Sequence, residues 1–147
     1  MSIDTSGKWW VGSDPEDLGA YLEAYSDDGY KSTEFRLSRC ECGSLEFQLD
    51  ADDEEGVACR TCAKCGAVHY ICESEEFWSA ASPQRWRCIE CGSERANVGV
   101  GYALYADDPT GVKWVYIGER CVHCGVLGCF AGWKVGESDA LRLLDKA

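Results

Sequence analysis

Eight of the eleven cysteines in this 147-residue chain fall into spaced pairs, and paired thiols are metal chemistry or disulfide chemistry. Arg39-Cys40-Glu41-Cys42-Gly43-Ser44 matches Arg87-Cys88-Ile89-Glu90-Cys91-Gly92-Ser93 with one residue deleted. Each is answered downstream by a Cys-x-x-Cys-Gly, at Cys62 and Cys65 and again at Cys121 and Cys124. Four thiolates can converge on one zinc ion, and the glycine after each pair lets the backbone fold tightly over the sulfurs. Two sites follow: Cys40, Cys42, Cys62 and Cys65, then Cys88, Cys91, Cys121 and Cys124, which implies two Zn2+ per chain. Cys59-x-x-Cys62-x-x-Cys65 offers an overlapping pair. The glycine after Cys65 and the alignment of the repeats favour Cys62 and Cys65 over Cys59.

Disulfides are the competing use of these thiols. The stretch Met1–Lys8 has no apolar signal core, no run is apolar enough to span a bilayer, and the cysteine count is odd. Metal binding in a cytoplasmic protein is the expectation. Cys59, Cys72 and Cys129 remain, and core thiols are the plainer reading of them than redox centres.

The paired frames resemble zinc ribbons, small three-stranded folds with rubredoxin-like knuckles, over residues 34–72 and 85–135. The resemblance implies two stacked ribbons and says little about activity. The expected fold is a small zinc-stabilised α+β protein: two tandem three-stranded antiparallel zinc ribbons with an N-terminal helix and a short C-terminal helix. The expected divisions are a helical segment (1–33), a first ribbon (34–76), a connector (77–86), a second ribbon (87–136) and a closing helix (137–147).

The elements that must hold the knuckles read as follows. Asp14, Pro15, Glu16 and Asp17 open a helix over 13–29, with Leu18, Tyr21, Leu22 and Tyr25 on one face and Gly29 as its stop. Alternation predicts strands at 34–39 and 45–49. Ala51-Asp52-Asp53-Glu54-Glu55-Gly56-Val57 and Ala106-Asp107-Asp108-Pro109-Thr110-Gly111-Val112 share one pattern, read as the same hairpin turn with glycine at positive φ. The arms of the second hairpin are unequally lengthened, which requires a bulge or a shifted register. Ser138 is placed to cap the closing helix of Leu141, Leu143 and Leu144. Trp78, Trp86, Trp114 and Trp133 are expected to seal a seam between the halves.

Charge divides the chain. Residues 1–76 carry 18 acids and 6 bases, whereas residues 77–147 carry 8 of each, so the net −12 belongs to the first half. That balance disfavours a phosphate backbone as partner and suits a basic protein. Neither histidine sits in a deaminase or open-site zinc pattern, and each four-cysteine set looks closed, so no enzyme is expected. The leading expectation is a non-catalytic protein-binding module, with an immunity protein or inhibitor that neutralises a basic toxin as its particular form. Asp52, Asp53, Glu54 and Glu55 would steer the partner, and Trp9 or Trp10 would anchor it. A nucleic-acid- or transcription-associated ribbon is the alternative, and a thiol redox or metal sensor the third.

Overall fold

Residues 3–137 and 141–147 are described by a computed structural model. In chain order the strands are β1 (Ile3–Asp4), β2 (Val11–Gly12), β3 (Glu34–Leu37), β4 (Phe47–Asp52), β5 (Val57–Cys62), β6 (Val68–Tyr70), β7 (Gln84–Arg85), β8 (Ala96–Leu104), β9 (Val112–Cys121) and β10 (Leu127–Glu137). Two short helices, α1 (Asp17–Tyr25) and α2 (Ser74–Phe77), are joined by 3-10 segments at Trp78–Ala80 and Leu141–Lys146. The expected closing helix forms as the 3-10 segment Leu141–Lys146, and its nominated cap, Ser138, lies outside the described residues. No helix among the described residues is long and apolar enough to cross a membrane.

The expectation of two stacked α+β ribbons is overturned by the strand pairing. One antiparallel sheet of eight strands runs β10-β9-β8-β4-β5-β6, with β3 added to β8 and β7 added to β4. The halves are joined edge to edge by backbone, at Phe47 opposite Ala96. The strand expected at 34–39 forms, but it pairs with the second half, Leu37 opposite Gly99 and Glu34 opposite Tyr102. Reciprocally, β7 lies in the span expected as a connector and pairs with the first half, Arg85 opposite Asp50.

These pairings obey an approximate two-fold axis. Phe47 and Ala96 each follow the second cysteine of their knuckle by five residues, so the contact joins equivalent positions. Leu37 and Arg85 are equivalent, as are their partners Gly99 and Asp50. The Ser38 N–H donates to the Val98 carbonyl and the Trp86 N–H to the Leu49 carbonyl, each at 2.8 Å. Glu46 and Arg95, also equivalent, form an ion pair across the axis at 3.6 Å. Each half thus lends the strand ahead of its knuckle to the other half. Pairing sterics alone did not reveal this from sequence, because a strand's alternation says which face is buried and not which neighbour it joins.

The core lies between the halves, where Phe47, Leu49, Val98, Val100, Tyr102 and Ile117 are fully buried. The acidic hairpin is drawn to the far end of the sheet: the Gly132 N–H donates to Asp53 Oδ1 at 2.9 Å, and the Trp133 ring lies against Gly56. Trp86 is buried beside Leu49, so Trp86 and Trp133 bridge the halves. Trp78 instead packs edge-on to Tyr70, and Trp114 packs on Tyr30 and Tyr116. The 3-10 tail is tied down by Tyr102, whose hydroxyl donates to the Leu143 carbonyl at 2.7 Å, and by Arg60, which donates to the Ala147 carbonyl.

The helix is shorter than expected at both ends. Asp14 accepts the Glu16 N–H at 2.9 Å ahead of the first turn, and Leu18 and Leu22 are buried. Ser26 ends it three residues before the expected stop at Gly29: its hydroxyl donates to the Leu22 carbonyl and its oxygen accepts the Ser32 N–H. Such local bonds compete with the helical ladder. Tyr25 is left 52 % exposed, so the apolar face does not extend that far.

The shared Ala-Asp-Asp pattern does not give one turn twice. The first is tight, with Asp52 opposite Val57 and Gly56 at φ 76°. In the second, the Tyr105 N–H reaches the Gly111 carbonyl, the loop is wider, and Gly111 is not at positive φ. The ladder there slips between Ala103 and Leu104, with Ala103 opposite Trp114 and Leu104 opposite Val112.

Candidate metal centres and adjoining cavities

Each knuckle is a short backbone turn. In the second half the Gly92 N–H donates to the Cys88 carbonyl at 2.9 Å, spanning four residues. In the first half the Gly43 N–H donates to the Cys40 carbonyl at 2.8 Å, spanning three. Both are closed behind by the same bond, Cys40 N–H to the Ser44 carbonyl and Cys88 N–H to the Ser93 carbonyl. The missing residue is absorbed inside the turn, and both sulfurs still reach the site. The downstream knuckles match bond for bond: Gly66 to Cys62 and Gly125 to Cys121, with Gly43, Gly66, Gly92 and Gly125 all at positive φ.

The structure gathers Cys40, Cys42, Cys62 and Cys65 into one group and Cys88, Cys91, Cys121 and Cys124 into another, with all Sγ atoms of a group within 4.8 Å of one another. Cys40 and Cys65 lie 3.5 Å apart, Cys42 and Cys62 3.6 Å. Cys88 and Cys124, and Cys91 and Cys121, are each 3.5 Å apart. Four sulfurs at 2.3 Å from a tetrahedral zinc would be about 3.8 Å apart, so the donor sets fit one ion each. A bound dication would fix the four elements that meet at each site. Cys59 lies outside the first group, buried on β5 opposite Asp50 and Tyr70.

The electrostatics single out one thiolate in each group. The Cys65 N–H, at 3.5 Å, and the Lys64 N–H draw the Cys62 thiol down to about 6. At Cys121 burial opposes ionisation, yet the Cys124 N–H, Cys91 and the His123 N–H outweigh it and bring the thiol to about 7. Within the same groups Cys65 and Cys124 are pushed up to about 12 and Cys91 is raised, each beside its sulfur neighbours, and the three thiols outside the groups are raised as well. Burial pushes Cys59 up to about 11 and Cys72 up to about 12, and it raises Cys129 further. Buried neutral thiols of this kind are poor nucleophiles.

The nominated acids and tryptophans lie along a chain of concavities. A cavity of about 470 Å³ is lined by Asp52, Asp53, Glu54, Glu55, Gln84 and Phe130, among others. Phe130 also lines a second, of about 370 Å³, with Trp9, Tyr21, Tyr25, Trp86 and Glu119. Trp9, Tyr21, Tyr25 and Leu127 are shared with a third, of about 260 Å³, which includes Lys8 and Trp10. Asp52 and Asp53 also have internal duties. Asp52 Oδ1 accepts the Glu54 and Glu55 N–H groups and Oδ2 the Ser82 N–H, while Asp53 holds Gly132. Glu54 and Glu55 project into solvent.

Glu119 was not among the residues expected at a site. It is 5 % exposed on β9, and burial raises its carboxyl well above the usual range, opposed by the Trp86 side chain and the Phe130 N–H. Its Oε2 has no hydrogen-bond partner among the described residues. The available signal was an acid directly after the largely apolar run Val115–Gly118, since unpaired carboxylates are rarely buried. No family model, curated protein or solved structure matches this chain.

Proposed function

We propose that this is a non-catalytic, zinc-stapled module that captures a basic protein partner through its acidic and aromatic face. The carrying observation is the run of adjoining cavities that links the Asp52–Glu55 hairpin to Trp9 and Trp10 through Phe130, Tyr21 and Tyr25. Acids at one end steer a basic partner, and aromatic side chains at the other supply area for an anchor. Four thiols complete a tetrahedral donor set at each centre, which supports a structural role for the metal. An inhibitor that neutralises a basic toxin is one form this activity takes, and the net charge of −12 supports it.

The nucleic-acid reading is weakened by how the second-half bases are spent. Arg85 pairs with Asp50 at 2.7 Å, Arg87 with Glu94 at 2.8 Å and Arg95 with Glu46 at 3.6 Å. Arg120 donates to the Gly12 carbonyl, and the Lys113 ammonium lies over the Tyr30 ring. Cations held this way are poorly placed to displace counterions from a phosphate backbone.

The test is capture of the partner from the source cell with and without nuclease, followed by association kinetics. Glu54→Gln with Glu55→Gln should slow association at low salt, with the difference shrinking as salt rises. Trp10→Ala should mainly speed dissociation. Recovery that vanishes with nuclease, together with indifference to both variants, would replace this reading with the nucleic-acid one.

A further inference from the structure

We propose that the 370 Å³ cavity is a receptor for one lysine side chain of the basic partner, its ammonium resting among Trp9, Tyr21, Tyr25 and Trp86 and hydrogen-bonding to Glu119. The proposal rests on the protein-capture reading and names what enters the pocket. The volume falls within the range of ligand sites, roughly 300–1,000 Å³. Five aromatic residues, Phe130 among them, and one acid form its distinctive lining, and aromatic faces attract alkylammonium groups. The wall already shows this preference, because the chain's own Lys8 ammonium lies 5.2 Å from the centre of the Trp9 ring.

Glu119 supplies the second observation. A buried carboxyl oxygen without a partner has unmet hydrogen-bonding capacity, and an arriving ammonium would favour its ionised form. The bases nearest in the fold do not meet it. Arg87 lines the same cavity but is paired with Glu94, and Arg120, the next residue on β9, is turned to Gly12 and Asn97. Lys8, the other nearby base, lies over Trp9, so a partner's ammonium, which carries three donors, is the group that would complete the site. A neutral apolar group would fill the aromatic walls and leave Oε2 unsatisfied. An anion would meet a carboxylate.

The probe is N-acetyl-lysine methylamide, titrated into the zinc-loaded full-length protein and followed by amide NMR shifts and tryptophan fluorescence. Its neutral norleucine counterpart and a free alkylamine serve as comparisons. The lysine probe should perturb Gly128, Cys129 and Phe130 and bind about tenfold more tightly than the norleucine probe. The free amine, which lacks the peptide backbone, should bind more weakly than the lysine probe. Equal binding of the free amine would assign the pocket to small cations and overturn the partner side chain as occupant. Glu119→Gln should weaken the lysine probe about tenfold and leave the norleucine probe unchanged. Trp9→Ala, at the partly buried wall, should weaken it several-fold even if Glu119→Gln fails to fold. Norleucine binding equal to lysine, or no shift at millimolar probe, would overturn the proposal. A silent cavity with acid-dependent partner association would remove the lysine receptor alone. Lysine binding with partner association indifferent to Glu54, Glu55 and Trp10 would remove the capture reading alone.

Discussion

At the scale of single residues, the division of labour among the cysteines is set by geometry before reactivity. Cys59 is three residues from Cys62, yet its side chain leaves β5 into the packed interior. Cys59→Ser should therefore retain two metal equivalents, whereas Cys62→Ser or Cys65→Ser should lose one, as counted by metal analysis of protein purified without added metal. Acid should release the metal, because protons compete for the thiolates that bind it. A chromophoric chelator would record that release as pH falls. Glu119 makes a separate prediction about stability. Burial raises its folded-state pKa above the unfolded value of about 4.3, so the native state holds a proton that the unfolded chain gives up. Its contribution is favourable below that value and is lost as pH rises. Glu119→Gln carries no such proton, and its melting temperature relative to the parent should rise from pH 5 to pH 8.

At the scale of elements, the lent strands are where the fold is most exposed to a small change. A methyl group at Gly99 would stand 2.5 Å from the Phe35 ring of β3. Gly99→Ala should cost about 1–3 kcal/mol by overpacking, read as a lower melting temperature with the metal content unchanged. Much at this scale was legible in the residues themselves. The cysteine pairs named both centres, because ligand spacing is a local property. Alternation found β3 and β4 for the same reason. What alternation could not carry was the neighbour of each strand, so β3 was assigned to its own ribbon rather than to β8. The second hairpin misled because its pattern matched the first while its longer arms changed the register at which the glycine falls. Glu119 was passed over because its meaning lies in Trp86, Tyr21 and Trp9, residues from three distant stretches of chain.

At the scale of the molecule, the exchange of β3 and β7 means that neither half holds a complete sheet. Residues 1–80 alone would lack the strand that β7 supplies, and residues 81–147 would lack β3. Each expressed alone should give poorly dispersed amide spectra, and mixing the two with zinc should restore the native spectrum. A well-dispersed monomer from either piece would show that the exchange is dispensable. By the same reasoning, Cys88→Ser should remove one metal and lower a single melting transition, rather than expose a separate one for the second half. The approximate two-fold axis has a further consequence. In a symmetric pair of identical chains, every substitution is made twice and faces itself across the axis, so an acid near that axis meets another acid. Here both copies belong to one chain, and a substitution is made once. That freedom lets Glu46 stand where its counterpart is Arg95, and it lets one copy carry the whole acidic excess while the other stays neutral. Symmetry supplies the scaffold, and covalent linkage permits a one-sided surface.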